Sequence, residues 1–319
     1  MEVYMENYCI GVDLGGTSTK LGIINTNGKL IKKWQAPTNT REAGRFILQD
    51  IIDLIKTCLS YVDIDVTQLL GVGVGVPGIV LEGGFVKAAV NLGWKDKKVK
   101  GELAQALKLP VTVMNDANAA ALGEMWQGSG KGYRNLVMIT LGTGIGAGII
   151  IDGKSISGSF GGAGELGHMP IVTDETQRCN CGRTGCLEQA ASATGIVKEA
   201  LRLLRTSEIE SSLRNIPEIN ARTVCEAAKK GDLLSREVLQ RAVKYLGLAM
   251  AVTSSVLDPE LYIIGGGVSA AGQFLLDMVK RYYEEQVLYL SKATEVRLAS
   301  LGNEAGIYGA AKSVLIDAD

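Results

Sequence analysis

The chain has 319 residues, 46% of them hydrophobic, enough to bury one large core or two smaller ones, and two domains are expected. Its 33 basic and 34 acidic residues give a net charge of -1. That balance leaves no broad cationic surface for a nucleic acid backbone, and no apolar run reaches the roughly 18 residues of a membrane span.

In chain order, YCIGVDLGG (Tyr8 to Gly16) reads as a buried strand entering a glycine turn. TKLGIINTNGKLIKKW then reads as a hairpin with Asn27 and Gly28 at its tip. GRFILQDIIDLIKTCLSYV has helical spacing, LLGVGVGVPGIV (Leu69 to Val80) reads as a strand, and the charge-dense WKDKKVKGE as a solvated face. VTVMND is a further strand, followed by ANAAALGEMWQG, a helix of small residues suited to close packing on its sheet. Alternating strands and helices predict the α/β class. The polar stretch RTSEIESSLRNIPEINAR links two helices.

A faint duplication runs through this order. VDLGGTSTKLGII (Val12 to Ile24) and ITLGTGIGAGII (Ile139 to Ile150) share the form strand, Thr/Gly-rich turn, strand, which predicts two similar halves. Such turns bring backbone N–H groups close to an anion, and the threonine hydroxyls add donors. Two of them suggest a clamped polyphosphate, although each alone also reads as an ordinary tight hairpin. Asp13 opens the first turn, where a carboxylate can hold Mg²⁺ directly or through water.

Three literal motif matches are weaker. GIIIDGKS (Gly148 to Ser155) satisfies the P-loop pattern, but its variable positions are strand residues and no helix follows. GVGVPG (Gly73 to Gly78) has a proline where a dinucleotide site needs a helix start. GGGVSA (Gly265 to Ala270) follows the strand LYII and precedes the helix GQFLLDMVKRYY, the best of the three.

Three of the six cysteines fall in RCNCGRTGCLE (Arg178 to Glu188), and the single histidine, His168, stands just upstream in GELGHMP. The start MEVYMENYCIGVDLGG has neither the basic nor the apolar region of an export signal, so a cytoplasmic protein with reduced thiols is expected. Cys9, Cys58 and Cys225 read as small buried hydrophobes. His168, Cys179, Cys181 and Cys186 form a Cys₃His set of the kind that binds structural Zn²⁺. A redox thiol cluster and a chance grouping of buried residues are the other readings. Glu165 and His168, three apart, point the same way on a helical turn.

DLGGTSTK, VMNDANAAALGE, LGTGIGAG, GELGHMP, CNCGRTGCLE and IIGGGVS occur together in an order and spacing that resembles the ROK family of bacterial sugar kinases and repressors, from about Ile10 to Ala311. The resemblance implies the actin-like (ribonuclease H-like) fold, two duplicated α/β domains around a cleft. Residues 1–122 with 303–319 would form the smaller domain and 123–302 the larger one, which carries the zinc site. It further implies an ATP-dependent glucose 6-phosphotransferase of glycolysis, with Asp116 as general base. Asn115, Asp116, Glu165, His168 and Glu188 would bind hexose hydroxyls, and Gly78 and Asn91 would line the sugar pocket. A bare helix cap for Asn115 or Asp116 and a surface role for Glu165 remain open.

Gly15, Gly16, Thr17 and Lys20 would hold the outer phosphates, Thr143 and Gly144 the second clamp, and Gly266 and Gly267 the adenosine end. ATP, catalytic Mg²⁺ and structural Zn²⁺ are the implied cofactors, and a homodimer or homotetramer the implied assembly. Alternatives within the family are kinases for N-acetylmannosamine, allose or fructose, a polyphosphate-using glucokinase, and a sugar-responsive repressor. The repressors carry a DNA-binding segment of dozens of residues, against fewer than ten residues here before the first strand.

Overall fold

The first hairpin forms where the turn residues place it. In the computed structural model, which describes residues 6–318, β1 (Tyr8–Leu14) and β2 (Ser18–Asn25) pair antiparallel, and β3 (Leu30–Pro37) follows a turn in which Gly28 has φ +84°. Residues 1–5, part of the acidic start, lie outside the described residues. A short stretch, α1 (Arg41–Gly44), leads to α2 (Ile47–Leu59), whose Ile47, Ile51, Ile55 and Cys58 recur at helical spacing and are buried in the core.

The strand predicted over Leu69 to Val80 is two strands. β4 (Leu69–Val76) lies parallel to β1 and stops at Pro77, which has no N–H to donate to a ladder. The chain continues as β5 (Ile79–Leu81), which joins β6 (Phe85–Ala89) and β7 (Trp94–Lys97) in a separate antiparallel sheet. In the charge-dense run that follows, Lys95, Asp96 and Lys98 are exposed as expected. Trp94 and Val99 anchor it: both are buried, and Trp94 Nε1–H donates to Gly44 O at 3.0 Å.

After α3 (Val99–Leu107), β8 (Val111–Asn115) adds parallel to β4 and runs directly into α4 (Asp116–Gln127). The second half begins with β9 (Leu136–Leu141), β10 (Ile145–Ile151) and β11 (Lys154–Ser155). The P-loop match is thereby excluded: Asp152 and Gly153, both at positive φ, form the tip of the β10–β11 hairpin. The helices α5 (Glu188–Ala191), α6 (Ala193–Thr206), α7 (Ala221–Lys229) and α8 (Leu233–Leu257) follow, with the polar stretch joining α6 to α7. β12 (Leu261–Gly265), α9 (Gln273–Gln286), β13 (Glu295–Leu298) and α10 (Ala305–Ala318) complete the chain.

Strand order shows the duplication directly. One sheet runs β3-β2-β1-β4-β8 and the other β11-β10-β9-β12-β13, so each strand of the first has a counterpart at the same place in the second. In both, the inner strand pairs parallel with its neighbour: β1 with β4, and β9 with β12. The chain divides into two compact units, Met1–Arg134 with Gly148–Gly164 and Ser300–Asp319, and Asn135–Ala147 with Glu165–Ala299.

Within the first unit, α10 packs on β1, β4 and α4. The approach is close because both helices carry small residues. A Cβ on Gly309 would overlap the carbonyl oxygen of Ala119, and one on Gly123 that of Ala305. The small-residue helix α4 thus serves helix packing as well as its sheet, where Ala119 Cβ would lie 3.2 Å from a Cβ on Gly75. Cys9, Cys58 and Cys225 are buried, and burial pushes each thiol up to about 11.

Candidate functional site

The predicted residues gather in two sets, one in each unit. In the first unit, half-buried Asp13 stands near the end of the buried strand β1, directly across the ladder from Lys20, and Lys20 Nζ donates to Asp13 Oδ2 at 3.1 Å. The turn Gly15 to Thr17 between β1 and β2 is closed by Gly15 N–H donating to Ser18 O at 3.0 Å. Thr38 braces it from β3's end, its hydroxyl donating to Gly15 O at 2.7 Å and its N–H to Thr17 O at 3.0 Å. Sequence reasoning missed Thr38, since nothing local marks a threonine just past a strand as the brace of a turn more than twenty residues earlier.

Asn115 and Asp116 stand where β8 becomes α4. Asn115 caps the helix as the bland reading allowed: Oδ1 accepts from Ala117 N–H at 2.9 Å and Asn118 N–H at 3.2 Å. It also does more, because Nδ2 donates to Gly78 O at 3.0 Å and ties the cap to the loop after β4. Asp116 is the first helical residue, where the helix macrodipole favours an ionised carboxylate, and its Oδ1 accepts from Ala117 N–H at 2.9 Å.

Two glycines connect these groups. Gly75 lies opposite Asp13 in the parallel ladder, and a Cβ on it would sit 3.7 Å from Asp116 Cα. Gly16 lies against Asn91, whose Cβ would be 3.3 Å from a Cβ at position 16. Asp13, Gly16, Gly78, Asn91, Asn115 and Asp116 therefore form one neighbourhood within the first unit.

In the second unit, a turn of 3₁₀ helix, Leu166–His168, presents His168 above the loop Arg178 to Glu188. That loop is a tight knuckle: Cys179 N–H donates to Arg183 O at 2.7 Å and Gly182 N–H to Cys179 O at 2.8 Å. Turn and loop together bring one nitrogen of His168 and the sulfurs of Cys179, Cys181 and Cys186 into a group in which all four donor atoms lie within 4.8 Å of one another. Cys179 Sγ is 3.7 Å from His168 Nδ1, and Cys181 Sγ 3.5 Å from Cys186 Sγ. Tetrahedral bonds of about 2.3 Å to a zinc ion place ligand atoms roughly 3.7 Å apart, so this donor set fits zinc in identity and spacing.

The thiols differ in acidity. A hydrogen bond from the Arg183 backbone lowers Cys181 to about 6, whereas burial pushes Cys179 up to about 12.

Carboxylates flank the imidazole on both sides. His168 Nε2 faces Glu165 Oε2 at 3.9 Å, and Nδ1 faces Glu188 Oε1 at 3.6 Å. Cys179 Sγ lies 2.9 Å from that same Glu188 oxygen. The other oxygen of Glu188 meets the second Gly/Thr turn, 2.7 Å from where a Cβ on Gly144 would be. That turn is held by Ala193 N–H donating to Gly142 O at 2.8 Å and by Thr194 Oγ1 donating to Thr143 O at 2.8 Å.

A cavity of about 370 Å³ joins these parts, lined among others by Thr143, Gly144, Cys179, Glu188, Thr194 and Lys198. Gly266 packs on the backbone of Leu141 beside the turn, while Gly267 faces open space. Thr194 and Lys198 went unnoticed in the sequence, being ordinary residues of an amphipathic helix.

A model of the ROK family matches residues 9–316. The chain belongs to the ROK family. A ROK relative described as a glucokinase, from Halalkalibacterium halodurans, is 41% identical over 309 residues, 95% of this chain and 94% of the relative. Among solved ROK structures, a glucokinase from Streptomyces griseus in complex with glucose and AMPPNP is 33% identical with a TM-score of 0.77, covering 96% of this chain and 99% of that one. A ROK hexokinase from Thermus thermophilus superposes with a TM-score of 0.83 at 27% identity, covering 98% and 99%. The fold is the actin-like α/β fold of the ROK sugar kinases.

Proposed function

We propose that the protein phosphorylates glucose at its 6-hydroxyl with ATP. Asp116 accepts the hydroxyl proton, and Asn115, Gly78, Asn91, Glu165, His168 and Glu188 form the sugar contacts. The observation that carries this reading is the neighbourhood of the first unit, in which Gly75 lies across the ladder from Asp13 and against the backbone of Asp116 at a helix start, and the Gly15–Thr17 turn begins two residues of chain after Asp13. A base beside an anion-binding turn is what transfer to a hydroxyl requires, since phosphoryl transfer depends on in-line positioning and charge stabilisation more than on covalent work by the protein. Support for glucose and ATP comes from the ROK glucokinase solved with glucose and an ATP analogue, and from the glucokinase relative at 41% identity.

In this reading Gly15, Gly16, Thr17 and Lys20 serve the outer phosphates, Thr143 and Gly144 the second clamp, and Gly266 and Gly267 the adenosine end. Lys20 is paired with Asp13, so both would act together: the lysine would offer charge to a phosphate, and the carboxylate would hold Mg²⁺ directly or through water. His168, Cys179, Cys181 and Cys186 would hold zinc, which closes the loop and does no chemistry, because four protein ligands leave no open position.

Among the described residues no helix is long and apolar enough to cross a membrane. We place the protein in the cytoplasm and expect a homodimer or homotetramer, to be measured by light scattering. The function itself is tested by ADP release over a panel of hexoses and phosphoryl donors, with and without Mg²⁺. Glucose with ATP and Mg²⁺ is expected to give the highest kcat/KM and a product oxidised by glucose 6-phosphate dehydrogenase. A higher kcat/KM for another hexose, or for polyphosphate, overturns the assignment.

A further inference from the structure

Among the described residues outside both sets, one carboxylate is fully enclosed. Glu124, in the last turn of α4, is 0% exposed. Burying a carboxylate is unfavourable unless its oxygens are satisfied, and here four donors converge on it. Oε1 accepts from Ser300 N–H at 2.9 Å and Leu301 N–H at 2.8 Å; Oε2 accepts from Ser129 N–H at 2.8 Å and Ser300 Oγ at 3.2 Å. The main-chain oxygen of Glu124 accepts from Gly128 N–H at 3.0 Å and Gly130 N–H at 2.9 Å. Only an acceptor without hydrogens serves all these donors, because the NH₂ of a glutamine would confront an amide N–H. Gly128 leaves the space, since a Cβ there would overlap Oε2.

What the carboxylate joins gives it meaning. Ser129 belongs to the segment that leaves α4, and Ser300 begins the last segment of the first unit, which leads into α10. α4 bears Asp116 at its start, eight residues before Glu124. α10 bears Gly306, where a Cβ would be 2.8 Å from Asp13 Cγ, so the first turn of α10 abuts Asp13. Locking the end of α4 to the entry of α10 thus fixes the helix holding Asp116 against the helix that backs Asp13.

We propose that Glu124 is a positioning residue of the phosphoryl transfer: its carboxylate sets the register of α4 against α10, and with it the placement of Asp116 relative to Asp13. The inference rests on the kinase reading above. A helix cap that served folding alone would lower the folded fraction and leave turnover per folded molecule intact.

The test is the isosteric substitution Glu124→Gln, read by steady-state kinetics on glucose and ATP and by hydrogen exchange. Expected are a kcat about tenfold lower with KM for glucose within about threefold, and faster exchange confined to residues 126–133 and 299–306. Should Glu124→Gln fail to fold, Gly128→Ala displaces the carboxylate while keeping its charge, and the same split is expected. Unchanged kcat, or a loss that follows the folded fraction with faster exchange throughout, overturns the proposal. If the wild type phosphorylates no hexose, the kinase reading fails instead; exchange confined to those segments then still supports the lock, and global exchange overturns it.

Discussion

Replacing Asp116 by asparagine separates proton transfer from everything else this residue does. Asparagine retains an Oδ1 that can accept from Ala117 N–H, as Asp116 does at 2.9 Å, and it is well tolerated at a helix start. The cap made by Asn115 and its bond to Gly78 O are untouched. The proposed sugar contacts would therefore persist, and what would disappear is a group able to take the proton. General-base catalysis contributes about 10²–10⁴-fold, equivalent to roughly 3–5 kcal/mol of barrier at about 1.4 kcal/mol per decade. Asp116→Asn is expected to lower kcat by at least about 10²-fold, with glucose affinity by calorimetry within about threefold and an unchanged melting temperature. A kcat within threefold of wild type would refute the base assignment. A raised KM with unchanged kcat would make Asp116 a binding group.

Cys181→Ser is expected to abolish stoichiometric zinc in elemental analysis and to raise KM for glucose, because the ion would draw His168 and Glu188 to one place; a metal-free variant with intact affinity removes zinc from the account. Asp232 caps α8 and also accepts from Ser211 and Ser212; burial works to raise it, but the bonds from Ser235 and Ser212 prevail and hold it at about 2. Its folded value lies below the ordinary 3.8, so its stabilisation is complete above about pH 4 and lost as pH falls toward 2. Asp232→Asn should cost about 2 kcal/mol at pH 7 in urea titrations, with the two proteins converging near pH 2; a difference independent of pH contradicts this. Gly309→Ala forces α10 off Ala119 and is expected to cost about 1–3 kcal/mol, read as a lower urea midpoint with unchanged slope.

Much of this molecule can be read in its sequence because its signals are local. Asn27 and Gly28 mark a hairpin tip by their own backbone preferences, and the two Thr/Gly turns betray the duplication that the matching strand orders make plain. The Cys₃His set announces itself by residue type and spacing, and the structure brings its four donor atoms together. What stayed hidden depends on partners distant in the chain. Pro77 signalled a break, yet the apolar residues around it still read as one strand, because periodicity cannot tell which sheet a strand will join. Glu124 resembles any polar residue near a helix end until Ser300 and Leu301 arrive, more than 170 residues later, to bury it. Thr38 and Thr194 are similar cases: a threonine that braces a turn is recognisable only once the turn is beside it.

The duplication also explains how the chemistry is divided. A repeated hairpin gives each unit one glycine and threonine turn, and in each unit that turn has acquired polar neighbours of a different kind. In the first, Gly16 meets Asn91, and Gly75 sets Asp116 beside Asp13. In the second, Gly144 meets Glu188, whose other oxygen reaches Cys179 and His168. The same small-residue geometry that suits the proposed anion thus leaves room for a side chain to approach the turn. A bulkier residue at Gly16 or Gly144 would do two things at once, filling the space a phosphate needs and displacing the group proposed to hold the sugar. In the proposed function, a substitution at either glycine would therefore weaken the binding of both substrates.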